Sequence, residues 1–92
     1  MIEVQVKITV KLSNKAELLN DLEKLATASR LEAGCISYNV YVNAFNETEL
    51  FIFEEWENSE VLTIHEAAEH FIQGVSKLNT LADKVDLKKK NV

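Results

Sequence analysis

Four residues have the types and spacing to do chemistry: Glu54, Trp56, His65 and His70. An imidazole titrates near neutral pH, so a positioned histidine is a ready general base. His65 is the better placed, beside Ile64 at the inner margin of a helical pattern. Its plainer alternative is a half-buried histidine bonded to backbone or to Glu69, one turn on. Glu54 shares a strand face with Ile52 and Trp56. A carboxylate there is costly unless paired or wet. It is therefore either a strand-end acid reaching water, or a pocket acid with a raised pKa that orients a histidine. Trp56 either packs or offers a flat wall to an aromatic ligand. His65 and His70 are five residues apart, about 140° of rotation on a straight helix. They share no face unless the helix kinks between them, and no recognised metal-ligand spacing appears. Tyr38 and Asn39 could orient a ligand by hydrogen bonds. Cys35 reads as a buried, inert thiol.

These residues need a frame, and the alternation supplies it. Residues 2–12 put Ile2, Val4, Val6, Ile8, Val10 and Leu12 on one side, the mark of a strand with one buried face. Asn14, with Glu17 three residues on, predicts a capped helix over 14–33 that buries Leu18, Leu22, Leu25 and Ala26 and stops at Gly34. Residues 35–43 and 49–57 alternate again across a polar loop, predicting a hairpin. Asn58 or Ser59 caps a second helical region running to about Leu81, with a break near Glu66–Ala68. Residues 84–92 suggest a short edge strand, and 88–92, with its three lysines, a solvated basic tail.

The composition bounds the class. Ninety-two residues make one domain, 1–92. Ten Lys+Arg against fifteen Asp+Glu give a net charge of −5, which argues against a nucleic-acid surface. There is no proline, only two glycines, and one cysteine. Regular structure should dominate, and no internal disulfide can form. No signal peptide or membrane span is visible, so the expected location is cytoplasmic. The order β-α-β-β-α-β is the α+β ferredoxin-like arrangement, a four-stranded antiparallel sheet with both helices on one face. The other face exposes parts of Tyr41, Phe51 and Phe53, and a second copy packed sheet to sheet is the economical cover.

The runs EAGCISYNVYV and ELFIFEEWENSEVLTIHEAAEHF resemble the antibiotic biosynthesis monooxygenase domain. The matching positions are Gly34, Cys35 and Tyr38, then Glu54 and Trp56, then His65, His70 and Phe71. The resemblance implies a dimeric α+β barrel with a small pocket between sheet and helices in each subunit. Some members of that family are cofactor-free monooxygenases that oxidise quinols or polycyclic aromatics. Others isomerise a phosphorylated autoinducer, and relatives degrade haem. The haem-degrading relatives use an asparagine on the first strand, where this chain has Gln5. Arg30 and Lys77, the candidate grips for a phosphate, have no evident place in a pocket. The expectation is therefore a homodimeric, cofactor-independent monooxygenase of a small aromatic or quinol substrate. His65 would be the base and Glu54 its partner, with Trp56, Tyr38, Asn39, Ile52, His70 and Phe71 around the ligand. An isomerase of a small metabolite and a non-catalytic ligand-binding module are the alternatives.

Overall fold

Alternation in β1 (Ile2–Val10) sends Val4, Val6, Ile8 and Val10 to one side, and all four are buried. The computed structural model describes residues 1–92 and continues with α1 (Leu12–Arg30), β2 (Cys35–Val42) and β3 (Glu49–Trp56). It ends with α2 (Ser59–Ala67), α3 (Glu69–Leu81) and β4 (Ala82–Asn91). The sheet order is β2-β3-β1-β4 and every pairing is antiparallel. This is the ferredoxin-like α+β fold, its second helical region divided in two as the sequence predicted. The register sets Val6 against Ile52 and Leu87, and Ile8 against Leu50 and Val85. Val6, Ile8, Leu50 and Ile52, with Leu18, Leu22, Leu25 and Ala26 from α1 and Leu78 from α3, build one core beneath the helices, with Val85 packed against it and Leu87 left exposed. On the opposite face Phe53 lies between Gln5 and Asn39, and Phe51 between Lys7 and Tyr41. No helix is long and apolar enough to cross a membrane.

Several boundaries differ from the sequence expectation. β1 stops at Val10, because Lys11 turns the chain into the helix and leaves Leu12 exposed. Asn14 is not the cap: Lys11 holds that position, and the Asn14 amide donates to the Leu81 carbonyl at the far end of α3. Asn58 does cap α2, accepting from the Val61 N–H at 3.0 Å. The solvated tail at 88–92 is replaced by strand. Lys88, Lys89 and Lys90 pair with Gln5, Val4 and Glu3. β1 would otherwise carry an open row of amides and carbonyls along that edge, and β4 satisfies it. The lysine side chains themselves stay exposed.

Helix α1 ends at Arg30, and the turn after it is tight. Gly34 has φ +87°, the only positive φ in the chain. A Cβ at Gly34 would meet three side-chain atoms of Val61 at 2.6–2.7 Å. That proximity lets the turn lie against α2. Gly34→Ala should therefore combine left-handed backbone strain with a clash against a stiff β-branched side chain. We expect a loss of about 2–4 kcal/mol, read as a lower thermal midpoint by circular dichroism. Gly74 makes the control. A Cβ there meets Leu25 side-chain atoms, the nearest being the Cδ2 methyl. That methyl can rotate away, and alanine favours the helix. Gly74→Ala should be close to neutral.

Candidate functional site

The end of β3, the break between the last two helices and the turn after α1 converge on one cluster. β3 alternates, so Glu54 and Trp56 point together under the helices, 5% and 0% exposed. The Trp56 indole N–H donates to Glu54 Oε1 at 3.0 Å. α2 ends at Ala67, and Ala68 takes an extended conformation (φ −72°, ψ 146°) before α3 begins. This break turns the second helix and brings together two imidazoles that a straight helix would set about 140° apart. His65 is 1% exposed, its ring 4.3 Å from that of Trp56 and 5.1 Å from that of Phe71.

Glu32, a residue the sequence reading did not select, holds both histidines. Its Oε2 lies 2.6 Å from His65 Nδ1 and 2.8 Å from His70 Nε2. A carboxylate only accepts, so both rings donate to it. The proton of neutral His65 is thereby placed on Nδ1, and Nε2 carries the free lone pair. Nε2 is buried without a hydrogen-bond partner, 3.8 Å from Glu54 Oε1. That distance is too long for a hydrogen bond. Nor is the contact a settled ion pair. Burial pushes Glu54 up to about 7, opposed by the Trp56 hydrogen bond, and Glu66 nearby adds to the rise. Burial likewise lowers the His65 pKa, against the pull of Glu32. Both groups are driven toward their neutral forms.

A cavity of about 230 Å³ opens beside this pair, between the sheet and the last two helices. Tyr38, Ile52, Glu54, His65 and Phe71 all line it, with Leu62, Val75 and Leu78 among its apolar walls. Burial, and then the charge of Glu54, push the Tyr38 phenol well above its ordinary range, so it stays protonated.

The other expected site residues fall elsewhere. Trp56 is sealed behind Glu54 and His65 and is not part of the cavity wall. Asn39 lies across the strand pair from Phe53, on the open face of the sheet, and its side-chain oxygen accepts from Arg30 at 3.5 Å. Strand alternation sends it away from Tyr38, so it cannot reach a ligand held under the helices. His70 lines a separate shallow groove with Asp21, Lys24, Gln73 and Lys77. Glu69 binds Gln73 rather than His65. Arg30 is committed to the Tyr38 carbonyl at 2.9 Å, which leaves the cavity without a cation from that helix. Against the expectation of no metal-ligand set, Glu32, His65 and His70 place three donor atoms within 4.8 Å of one another. Glu32 was hard to foresee. It sits among wet-side residues near a glycine stop, 33 positions from His65, and nothing local marks it.

Comparisons with known proteins agree with this frame. The family model for antibiotic biosynthesis monooxygenase matches residues 1–77. An uncharacterized protein of Synechocystis sp. is 33% identical over 76 residues, 83% of this chain and 52% of its own. The uncharacterized protein YjcS of Bacillus subtilis is 32% identical over 56 residues, covering 61% of this chain and 53% of that one. The chain thus spans about half the length of the curated relatives it matches. A crystal structure of a conserved protein of unknown function from Bacteroides thetaiotaomicron, described as a possible oxidoreductase, superimposes with a TM-score of 0.95. It is 31% identical, over 99% of this chain and 96% of that one. Fold, motif positions and sequence matches all lead to one assignment: the chain belongs to the antibiotic biosynthesis monooxygenase family.

Proposed function

We propose that the protein is a cofactor-independent monooxygenase of a small hydroxylated arene or quinol, with His65 as general base. The observation that carries this is the free Nε2 of a buried histidine, locked in one tautomer, at the wall of an apolar cavity that Glu54 also lines. Without flavin or metal, the substrate must itself reduce dioxygen. It becomes electron-rich enough once it loses its phenolic proton. His65 Nε2 takes that proton, and Glu32 stabilises the resulting imidazolium from the other side. The phenolate ring carbon bearing a hydrogen, ortho or para to the oxygen, then bonds to dioxygen. Two electrons pass from ring to oxygen, and the peroxide formed takes up a proton. Loss of the ring C–H proton and cleavage of the O–O bond leave a second carbonyl and one water. One oxygen atom enters the product quinone and the other leaves as water, so arene plus dioxygen balances quinone plus water.

The remaining residues suit that task. A cavity of about 230 Å³ is below the usual range of roughly 300–1,000 Å³ for ligand pockets, which favours one or two fused rings. Ile52, Phe71, Val75 and Leu78 exclude water around a flat substrate. Glu54, neutral up to about pH 7, can return a proton to the peroxide. In the same reading two chains pair through the open sheet face, where Phe51 lies beside Tyr41 and Phe53 one step along the strand from them on the same side.

His65→Ala should lower oxygen consumption with a reduced naphthoquinol or naphthol by about 10²–10⁴-fold, the usual contribution of a general base. Turnover within tenfold of the parent would remove His65 from the mechanism. Phe53→Asp should shift the sedimenting species from two chains to one; an unchanged mass would place any interface elsewhere. Protonation of Glu54 makes stability depend on pH. Its folded pKa is raised from 4.5 to about 7. Between those values the folded state binds more protons than the unfolded one. Stability should therefore fall as pH rises through that window, by on the order of 3 kcal/mol from this group. Glu54→Gln should flatten that part of a urea-denaturation profile measured in metal-free buffer, and an unchanged slope would assign it to other groups.

A further inference from the structure

We propose that Glu32, His65 and His70 form a binding site for a divalent transition-metal ion such as Zn²⁺. The proposal goes beyond the oxygenase reading and does not depend on it. The three donor atoms come from three segments: the turn after α1, the last turn of α2 and the first turn of α3. Glu32 Oε2 already contacts His65 Nδ1 and His70 Nε2, and the three residues offer one donor atom each within 4.8 Å of one another. Two imidazoles and one carboxylate are a known zinc donor set, with a fourth position left for water. Nitrogen donors also select transition metals over Mg²⁺ and Ca²⁺.

The present distances are those of hydrogen bonds, 2.6 and 2.8 Å from Oε2. Tetrahedral ligands around zinc stand about 3.3 Å apart, from bond lengths near 2.0–2.1 Å. The ion therefore needs Glu32 to retreat by some tenths of an ångström, His70 to set its nitrogen about 3.3 Å from that of His65, and the two ring protons to leave. Glu32 can do so, since it sits in a turn and its side chain is partly exposed. The His70 side chain is 30% exposed and supplies a way in from solvent. His65 cannot move, because Trp56, Phe71 and Tyr38 surround its ring. One rigid ligand and two adjustable ones suit an exchangeable ion.

Ligation would also act on the cavity. With the ion on Nδ1, the proton of neutral His65 must sit on Nε2, and the atom facing Glu54 becomes a donor. The loaded form thus lacks the base proposed above, so the ion acts as an inhibitor rather than a participant.

The test is Co²⁺ titration of the full chain stripped with EDTA, followed by visible absorption and then displacement with Zn²⁺. The expected result is saturable binding of one ion per chain, with the absorption of low-coordinate Co²⁺. His70→Ala and Glu32→Gln should each weaken it by at least about tenfold, the effect of losing roughly 1.4 kcal/mol. Cys35→Ser should leave it unchanged, since no thiolate is assigned to the site. Circular dichroism checks the fold of each variant, and Glu32→Gln decides the matter if His70→Ala unfolds. No saturable uptake into the millimolar range overturns the site. So does affinity that survives Glu32→Gln and His70→Ala, or that is lost with Cys35. None of these readouts depends on turnover, so a failed oxygenase assay and a failed metal site remain distinguishable.

Discussion

A single carboxylate oxygen receiving two imidazole hydrogen bonds ties the site together. Glu32 Oε2 joins the turn after α1 to α2 and α3, and so spans three segments that strand pairing does not connect. Breaking it would leave the buried Nδ1 of His65 without a partner, a cost of about 1–3 kcal/mol. Two backbone features make the arrangement reachable. The extended residue Ala68 rotates His70 toward His65, and Gly34 lets the turn carrying Glu32 lie on Val61. Neither feature touches the cavity, yet both decide which nitrogen of His65 is free.

The cavity beside that nitrogen is asymmetric in a useful way. Its walls are mostly aliphatic, and its polar groups are Glu54, His65 and Tyr38, with Glu66 and Asn79. Apolar surroundings disfavour charge on either side, raising the acid and lowering the base, so that both favour their neutral forms. Trp56 fixes one oxygen of Glu54 from behind and lies close to the His65 ring.

Much of the frame was legible in the sequence, because it rests on local periodicity. The alternation of Val4, Val6, Ile8 and Val10 predicted both the strand and its buried face, and Leu18, Leu22, Leu25 and Ala26 lie where a helical stripe puts them. The break between the last two helices also showed, as a lapse in that stripe. Misreadings arose where polar residues have more than one use. Asn14 has the chemistry of a cap but reaches across to the Leu81 carbonyl. Lys88–Lys90 looked like a solvated end, yet their backbone completes the sheet while their side chains stay in water. Asn39 neighbours Tyr38 in the chain and lies on the other side of the strand. Glu32 was missed for a related reason: its partners are distant in sequence, and a lone acid near a turn carries no periodic signal.

The lysines of β4 have a bearing on how the molecule behaves in a crowd. β4 is an outer strand of the sheet, and such strands invite neighbouring chains to add on indefinitely. Lys84, Lys88, Lys89 and Lys90 line this one, with Lys89 anchored to Glu66 at 2.6 Å. An identical strand arriving alongside would face a row of like charges before it could exchange hydrogen bonds. Fibrillar growth along that border is thus discouraged.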